Sequence, residues 1–193
     1  MVGTVGPSRR LPAPEPLRLV QAFVNSVDIE ERRDDFAWPD GLEDWLVTRG
    51  LVDPGTEVSQ RDRRRAIEAR EAIRAFLLAN NGTPLDPAAP ATLNDLAAEL
   101  ALELRFEGDG SARLEPQGRG IDAALARILA LVYAAMADGT WPRLKACRDE
   151  ACRWAFYDAS KNRSGTWCSM AICGSRTKAR TYRRRRSAGL SRP

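Results

Sequence analysis

The four cysteines constrain this chain more than any other feature of its sequence. They form two matched pairs, Cys147-x4-Cys152 and Cys168-x4-Cys173, within 27 of the 193 residues. Four thiolates in two close pairs can complete a tetrahedral shell around one ion and leave no open position, which is typical of structural rather than catalytic zinc sites. The spacing therefore predicts one structural Zn²⁺ bound by these four residues.

Two other uses of the cysteines remain open. Disulfides need an oxidising compartment, but the first residues, MVGTVGPSRRLPAPEP, hold no apolar segment of the kind that directs secretion. We therefore expect a cytoplasmic protein with reduced thiols. A redox switch could use the same four thiols, although it would need no basic segment beside them.

The chain has no histidine, and this excludes several kinds of site. Ser–His and Cys–His nucleophilic catalysis and every histidine-containing metal site need an imidazole. No other nucleophile–base arrangement is visible in the sequence, so we do not expect an enzyme.

Charge is divided unevenly along the chain. Residues 1–140 hold 16 Lys/Arg and 23 Asp/Glu, a balance of −7, whereas residues 141–193 hold 14 Lys/Arg and 3 Asp/Glu, a balance of +11. An acidic body joined to a basic end indicates a polyanionic partner for that end alone. A basic tail kept for solubility is the alternative, but here the basic residues share their segment with every cysteine.

A basic helix is predicted directly after Cys173. Its arginines outnumber its lysine six to one, which favours bidentate contacts to phosphate or guanine. In a helix, Arg176, Arg180, Arg183 and Arg184 share one face. The predicted DNA-contacting residues are Arg176, Lys178, Arg180, Arg183, Arg184, Arg185 and Arg186. A solvated helix end is the alternative interpretation.

The part before the cysteines reads as mainly helical. Apolar residues at helical spacing predict helices over residues 17–27, 42–50, 58–79 and 121–139. After the helix over residues 58–79, a Pro-rich loop through Pro90 precedes a further helix that Thr92 would cap and that ends at Leu100. Residues 102–114 alternate between apolar and charged side chains around Gly108-Asp109-Gly110, which predicts one β-hairpin.

These elements predict a mainly α protein with two folded parts. A disordered segment (1–16) precedes a helical domain (17–139), which is followed by a small treble-clef-like zinc finger of short strands and a basic helix (141–186) and by a flexible tail (187–193). We expect no membrane-spanning segment, because the most apolar stretch, residues 123–137, is short and contains Arg127.

A ligand pocket in the N-terminal domain is a weaker hypothesis. The residues that could line it are Asn25, Trp38, Trp45, Arg70 and Arg74. Their pattern fits a core and a solvated helix face better than a pocket.

Several short segments resemble a known family. Trp154-Ala155-Phe156-Tyr157-Asp158, Ser160-Lys161-Asn162, Trp167-Cys168-Ser169-Met170 and Cys173-Gly174-Ser175-Arg176 resemble the bacterial CGNR zinc-finger proteins, with Ser175 where the naming motif has Asn. Ala22-Phe23-Val24-Asn25-Ser26 is similar to their N-terminal ABATE domain. The resemblance implies a stress-responsive transcription regulator whose finger binds DNA.

The leading hypothesis is a DNA-binding regulator with a sensing or dimerising N-terminal domain. The open alternatives are an RNA- or protein-binding zinc module and a ligand-binding N-terminal domain with no role on DNA. A small-molecule effector and a homodimer are further partners that the sequence leaves open.

Overall fold

The computed structural model describes residues 12–189, in which six α-helices and three antiparallel strand pairs follow one another. The helices are α1 (Leu17–Val24), α2 (Pro39–Thr48), α3 (Gln60–Ala79), α4 (Ala88–Glu99), α5 (Gly120–Ala137) and α6 (Ser175–Gly189). The strands are β1 (Val27–Asp28), β2 (Arg33–Asp34), β3 (Leu102–Phe106), β4 (Ala112–Pro116), β5 (Leu144–Ala146) and β6 (Ala155–Tyr157).

The longest helix, α3, shows why these residues fold as they do. Ser59 begins it with a capping box, in which its hydroxyl accepts from the Asp62 N–H while the Asp62 carboxylate accepts from the Ser59 N–H. Along α3, the buried apolar side chains of Ala66, Ala69, Ile73 and Leu77 recur every three or four residues, as helical spacing predicts, and Arg70, Ala72 and Arg74 are buried beside them. It ends at Ala79 with Asn80 as its C-cap, and Gly82 follows with a φ of 79° that glycine adopts without strain.

The start of α4 differs from the prediction. Thr92 does not cap this helix, which begins four residues earlier, at Ala88. Pro90 lies in the first turn, where the missing N–H leaves no hydrogen bond unmade. The Thr92 hydroxyl instead donates to the Ala88 carbonyl inside the helix at 3.1 Å. The Pro-rich stretch that was predicted to be a loop therefore contains the first turn of α4.

The strand pairs confirm the predicted hairpin and add a second pair to the N-terminal domain. β3 pairs with β4 in a register that places Leu104 opposite Leu114. The additional pair, β1 with β2, is only two residues long on each side and joins Val27 to Asp34. It lies in the connection between α1 and α2.

The α5 helix is the one described helix that is long and apolar enough to cross a membrane, and half of that stretch is buried. Its inner face packs into the main core against α1 and β4. A buried core helix of a folded domain passes the same test of length and apolarity, and the packing accounts for the composition of α5.

The main core continues into the cysteine-containing part. Phe23, Phe36 and Trp45 form an aromatic cluster with ring centroids 5.6–5.7 Å apart. Leu144 of β5 and Ala155 of β6 belong to the same buried cluster as these rings. The two predicted parts of the chain therefore share one hydrophobic core.

Both predicted terminal segments extend beyond the residues that the structure describes. Residues 1–11 and 190–193 are outside the described residues. Within the rest of the N-terminal segment, Ala13 is fully buried and its N–H donates to Gln21 Oε1 at 2.6 Å. At the other end, residues 187–189 continue α6.

Candidate metal centre and basic helix

The four cysteine sulfurs converge on one point. All four lie within 4.8 Å of one another and all four residues are buried. Cys152 Sγ lies 3.5 Å from Cys168 Sγ, and Cys168 Sγ lies 3.7 Å from Cys173 Sγ. A tetrahedral ion with Zn–S bonds of about 2.3 Å needs sulfurs about 3.8 Å apart. No disulfide joins these residues, so the geometry fits a Zn²⁺ site.

Hydrogen bonds and burial make the four thiols unequal in acidity. The thiols of Cys152 and Cys168 donate to Cys147, which lowers the pKa of Cys147 to about 2. The same hydrogen bond raises the pKa of Cys152 to about 12, and the pKa of Cys168 is raised for the same reason. Burial raises the pKa of Cys173. One thiolate is thus favoured, and the other three are disfavoured mainly by the hydrogen bonds that they donate and by burial, with repulsion between like charges as a smaller cause. A divalent cation would replace the three protons.

The first pair of cysteines lies in the connection between β5 and β6. The N–H of Cys147 donates to the Trp154 carbonyl at 2.9 Å and extends the β5–β6 ladder by one bond. Asp149 then accepts from the N–H groups of Cys152 and Arg153 through its backbone carbonyl. Arg153 closes the turn with a φ of 53°. This tight turn carries both sulfurs to the same side.

The second pair lies at the start of the last helix. Ser169 caps a short π-helical segment, Met170–Gly174, through its hydroxyl, which accepts from the Ile172 N–H. Cys173 is in this segment, and α6 begins directly after it at Ser175. One knuckle between two strands and one at a helix start is the treble-clef-like arrangement that the sequence predicted. A metal ion at this point would fix the beginning of α6.

Asp149 connects the two knuckles and was missed in the sequence. Its side chain is fully buried and lies 3.1 Å from the Arg180 guanidinium and 3.4 Å from that of Arg176. Arg176 also pairs with Glu30, in the turn between β1 and β2. Two of the seven residues predicted to contact DNA, Arg176 and Arg180, therefore bind acidic groups of the protein itself. These ion pairs orient α6 relative to the metal centre.

The other five predicted DNA-contacting residues are free of acidic partners in the described chain. All five are exposed on α6 and none forms an ion pair with a described residue; they are Lys178, Arg183, Arg184, Arg185 and Arg186. The exposed basic surface therefore begins with Lys178 and is concentrated in the second half of the helix.

Lys145, which lies two residues before Cys147 in the sequence, binds a carboxylate and two carbonyls. Lys145 is buried, and its Nζ donates to Asp158 at 2.8 Å and to the carbonyls of Arg163 and Gly165. Burial alone would raise the pKa of Asp158, but hydrogen bonds from Lys145, Ser160 and Gly165 outweigh it and lower the pKa to about 2. This ion pair holds the loop between β6 and the second knuckle.

The side-chain amides of Asn25 and Asn81 attach the finger to the N-terminal domain. Asn25 forms two hydrogen bonds with Ala155 of β6, donating to its carbonyl at 2.9 Å and accepting from its N–H at 2.8 Å. Asn81, just after α3, donates to the carbonyls of Ala146 and Thr166 at 2.8 Å each. In the sequence, Asn80-Asn81 reads only as a helix end, because these partners are distant in the chain.

The residues predicted to line a ligand pocket differ in burial and in their partners. Trp45 is in the aromatic core cluster, while Trp38 is 75 % exposed. Arg70 is buried and binds both carboxylate oxygens of Asp34, at 2.6 and 2.8 Å. Arg74 donates to the carbonyls of Val24 and Arg153. The polar groups of both arginines bind the protein's own groups, and Arg74 joins the two parts of the chain through the Arg153 carbonyl.

The geometry defines a helical domain joined to a treble-clef-like finger that ends in a basic helix. Comparison with known families agrees: residues 143–186 match the CGNR zinc finger, and residues 17–139 match the ABATE family, described as "Putative stress-induced transcription regulator". The chain therefore belongs to the ABATE family and carries a CGNR zinc finger, which confirms the resemblance inferred from the sequence. No curated protein matches the chain.

Proposed function

We propose that this zinc-finger protein is a transcription regulator that binds duplex DNA through α6. The observation that carries the proposal is the set of five exposed cations on α6, Lys178 and Arg183 to Arg186, which have no acidic partner among the described residues. Uncompensated arginines on a helix with a fixed beginning are suited to phosphate contacts.

The distribution of these cations favours a groove over a flat surface. Successive helical residues point about 100° apart, so four consecutive arginines, Arg183 to Arg186, point to all sides of α6. A flat polyanion could contact only one side. In the major groove, phosphates flank a helix on both sides and base edges lie beneath it, so more of the four arginines can reach the DNA than on a flat surface.

The strength of binding should depend steeply on salt. Each phosphate neutralised on B-DNA contributes a slope of about −0.9 to the dependence of log K on log salt, so five contacts predict a slope of about −4 to −5. Fluorescence anisotropy of the zinc-loaded protein with a labelled duplex, over a range of salt concentrations, measures this slope. A zinc-loaded protein that does not bind duplex DNA at low salt would refute the proposal.

A matched pair of variants separates the helix from total charge. The first replaces Arg183 to Arg186 by glutamine, and the second replaces four exposed arginines of the N-terminal domain: Arg32, Arg64, Arg119 and Arg127. Each lowers the net charge from +4 to 4 − 4 = 0. We expect the first variant to lose most of the affinity and to reduce the salt slope toward about −1, and the second to retain both.

Competition distinguishes the alternative partners. Unlabelled duplex DNA, structured RNA and an acidic polypeptide are each added to the labelled complex at equal phosphate or carboxylate concentration. The proposal requires duplex DNA to compete best. Stronger competition by RNA or by the acidic polypeptide would instead indicate an RNA- or protein-binding zinc module.

A further inference from the structure

Among the described residues, the outer edge of the β3–β4 hairpin has backbone hydrogen-bonding groups without a partner. In the described chain, β3 pairs with β4 alone. Gln117 N–H donates to the Ala101 carbonyl and Glu107 N–H to the Ser111 carbonyl, both at 2.8 Å. The odd-numbered residues of β3 therefore point their backbone groups toward β4. The N–H and C=O groups of Leu102, Leu104 and Phe106 point to the free edge.

The hairpin also exposes apolar side chains. Residues directly opposite in an antiparallel pair share a face, so Leu104 and Phe106 lie on the same face as Leu114 and Ala112. Leu104 is 55 % and Phe106 is 77 % exposed. A free strand edge beside exposed apolar side chains is a surface at which another strand can add.

The charges of β3 identify what fits this edge. On the opposite face of the hairpin, Glu103 lies opposite Glu115, a like charge, and Glu115 is already bound by Arg105 and Arg113. Glu103 forms no ion pair with any described residue. A strand that places a positive charge beside Glu103 would remove this repulsion.

A second copy of β3 meets these requirements. If two antiparallel β3 strands pair about a two-fold axis at Leu104, Glu103 lies opposite Arg105 of the second copy, and Arg105 opposite its Glu103. Leu104 then pairs with Leu104, and Leu102 with Phe106. Because Leu102, Leu104 and Phe106 carry the outward-pointing backbone groups, each of these pairs can exchange two hydrogen bonds. The charges of β3 are thus complementary to those of a second, antiparallel copy of β3.

Other registers are less favourable. An axis at Glu103 or Arg105 places like charges directly opposite each other. An axis at Phe106 moves the pairing into the turn after residue 106 and loses half of the ladder. Leu104 is also the middle residue of β3, so the register that matches the charges also uses the full strand.

We propose that this protein forms a two-fold homodimer through β3, giving a continuous four-stranded sheet in the order β4–β3–β3–β4. The interface is isologous, as in most soluble dimers. It uses no residue of the metal centre or of α6, so it forms whether or not the protein binds DNA.

Charge reversal tests the pairing on the full zinc-loaded chain without DNA, by sedimentation velocity from low to high micromolar concentration. Wild type should show a concentration-dependent dimer. Glu103→Arg or Arg105→Glu alone creates two repulsive contacts, one on each side of the axis, and should raise the dissociation constant about tenfold or more. The double variant E103R/R105E restores opposite charges across the axis and should return it to within about threefold of wild type.

Two further variants define the edge. Arg113→Glu reverses a charge on the same face but on β4, away from the pairing edge, and should leave the dimer intact. Leu104→Pro removes an N–H that the hairpin does not use and should abolish the dimer while zinc content and circular dichroism stay unchanged. A wild type that remains monomeric, a dimer insensitive to both single reversals, or a double variant without rescue would each overturn the proposal.

Discussion

Replacing Lys145 by methionine should destabilise the finger through a buried ion pair. Lys145 and Asp158 are 5 % and 4 % exposed, with 2.8 Å between their charged atoms. The pKa of Asp158 is lowered from 3.8 to about 2, which corresponds to about 2 kcal/mol of stabilisation at neutral pH. Because the folded-state pKa is the lower one, this contribution is complete above pH about 4 and is lost as the pH falls toward 2.

The expected cost of Lys145→Met exceeds that figure. Without the ammonium group, the burial that raises the pKa of Asp158 is no longer outweighed to the same extent, and the carbonyls of Arg163 and Gly165 lose a donor. We expect the free energy of unfolding to fall by about 3 kcal/mol. Guanidinium denaturation at pH 7, followed by tryptophan fluorescence at a fixed free zinc concentration, measures it.

Two controls make this prediction refutable. Lys161→Met removes a lysine from an exposed position of the same loop and should change stability by less than about 0.5 kcal/mol. In a double-mutant cycle with Asp158→Asn, the two changes should couple by about 1–3 kcal/mol, because both remove one contact. If Lys145→Met costs no more than Lys161→Met, the ion pair does not hold the loop.

Two other contacts give independent predictions. Asn25→Ala leaves the N–H and carbonyl of Ala155 without their amide partner and should lower the free energy of unfolding by about 2 kcal/mol. The control Asn162→Ala, at an exposed position, should have almost no effect. Equal effects of the two would contradict the role of Asn25 in attaching the finger to the N-terminal domain. Arg70→Met removes the bidentate cation that, against the effect of burial, lowers the pKa of Asp34. The pKa of that carboxyl should rise, as measured by NMR titration, and an unchanged value would show that Arg70 does not control it.

The helices and the hairpin were predictable because their signals are local. The period of apolar residues in α3 and α5 reflects which face is buried. The alternation in β3 reflects the strand repeat of two alone, because both of its faces are largely exposed. The start of α4 was not predicted correctly, since prolines were taken as loop residues although Pro90 fits a first helical turn. The β1–β2 pair escaped prediction because two residues per strand are too few to show a period.

The metal ligands were predictable for a similar reason, and the contacts around them were not. Cysteine spacing reports directly on a shared ion, so all four ligands follow from the sequence. Asp149, Asn25 and Asn81 bind groups that lie far away in the chain. A polar residue carries no sequence signal of such a partner, which is why Arg70 and Arg74 were considered for a ligand pocket although they bind protein groups.

The basic helix falls between these two cases. Its charge and helical form were visible in the sequence, but the division of its cations was not. Arg176 and Arg180 turn toward the buried carboxylate of Asp149, while Arg183 to Arg186 remain in solvent. That division depends on the angle at which α6 leaves the second knuckle, and hence on the metal centre.

The most direct test of this account is the zinc coordination itself. X-ray absorption at the zinc K-edge of the purified protein should show four sulfur atoms at about 2.3 Å and no nitrogen or oxygen in the first shell. One Zn²⁺ per chain with this shell is the result that the sulfur geometry predicts. A shell with fewer than four sulfurs, or a folded protein that contains no zinc, would contradict it.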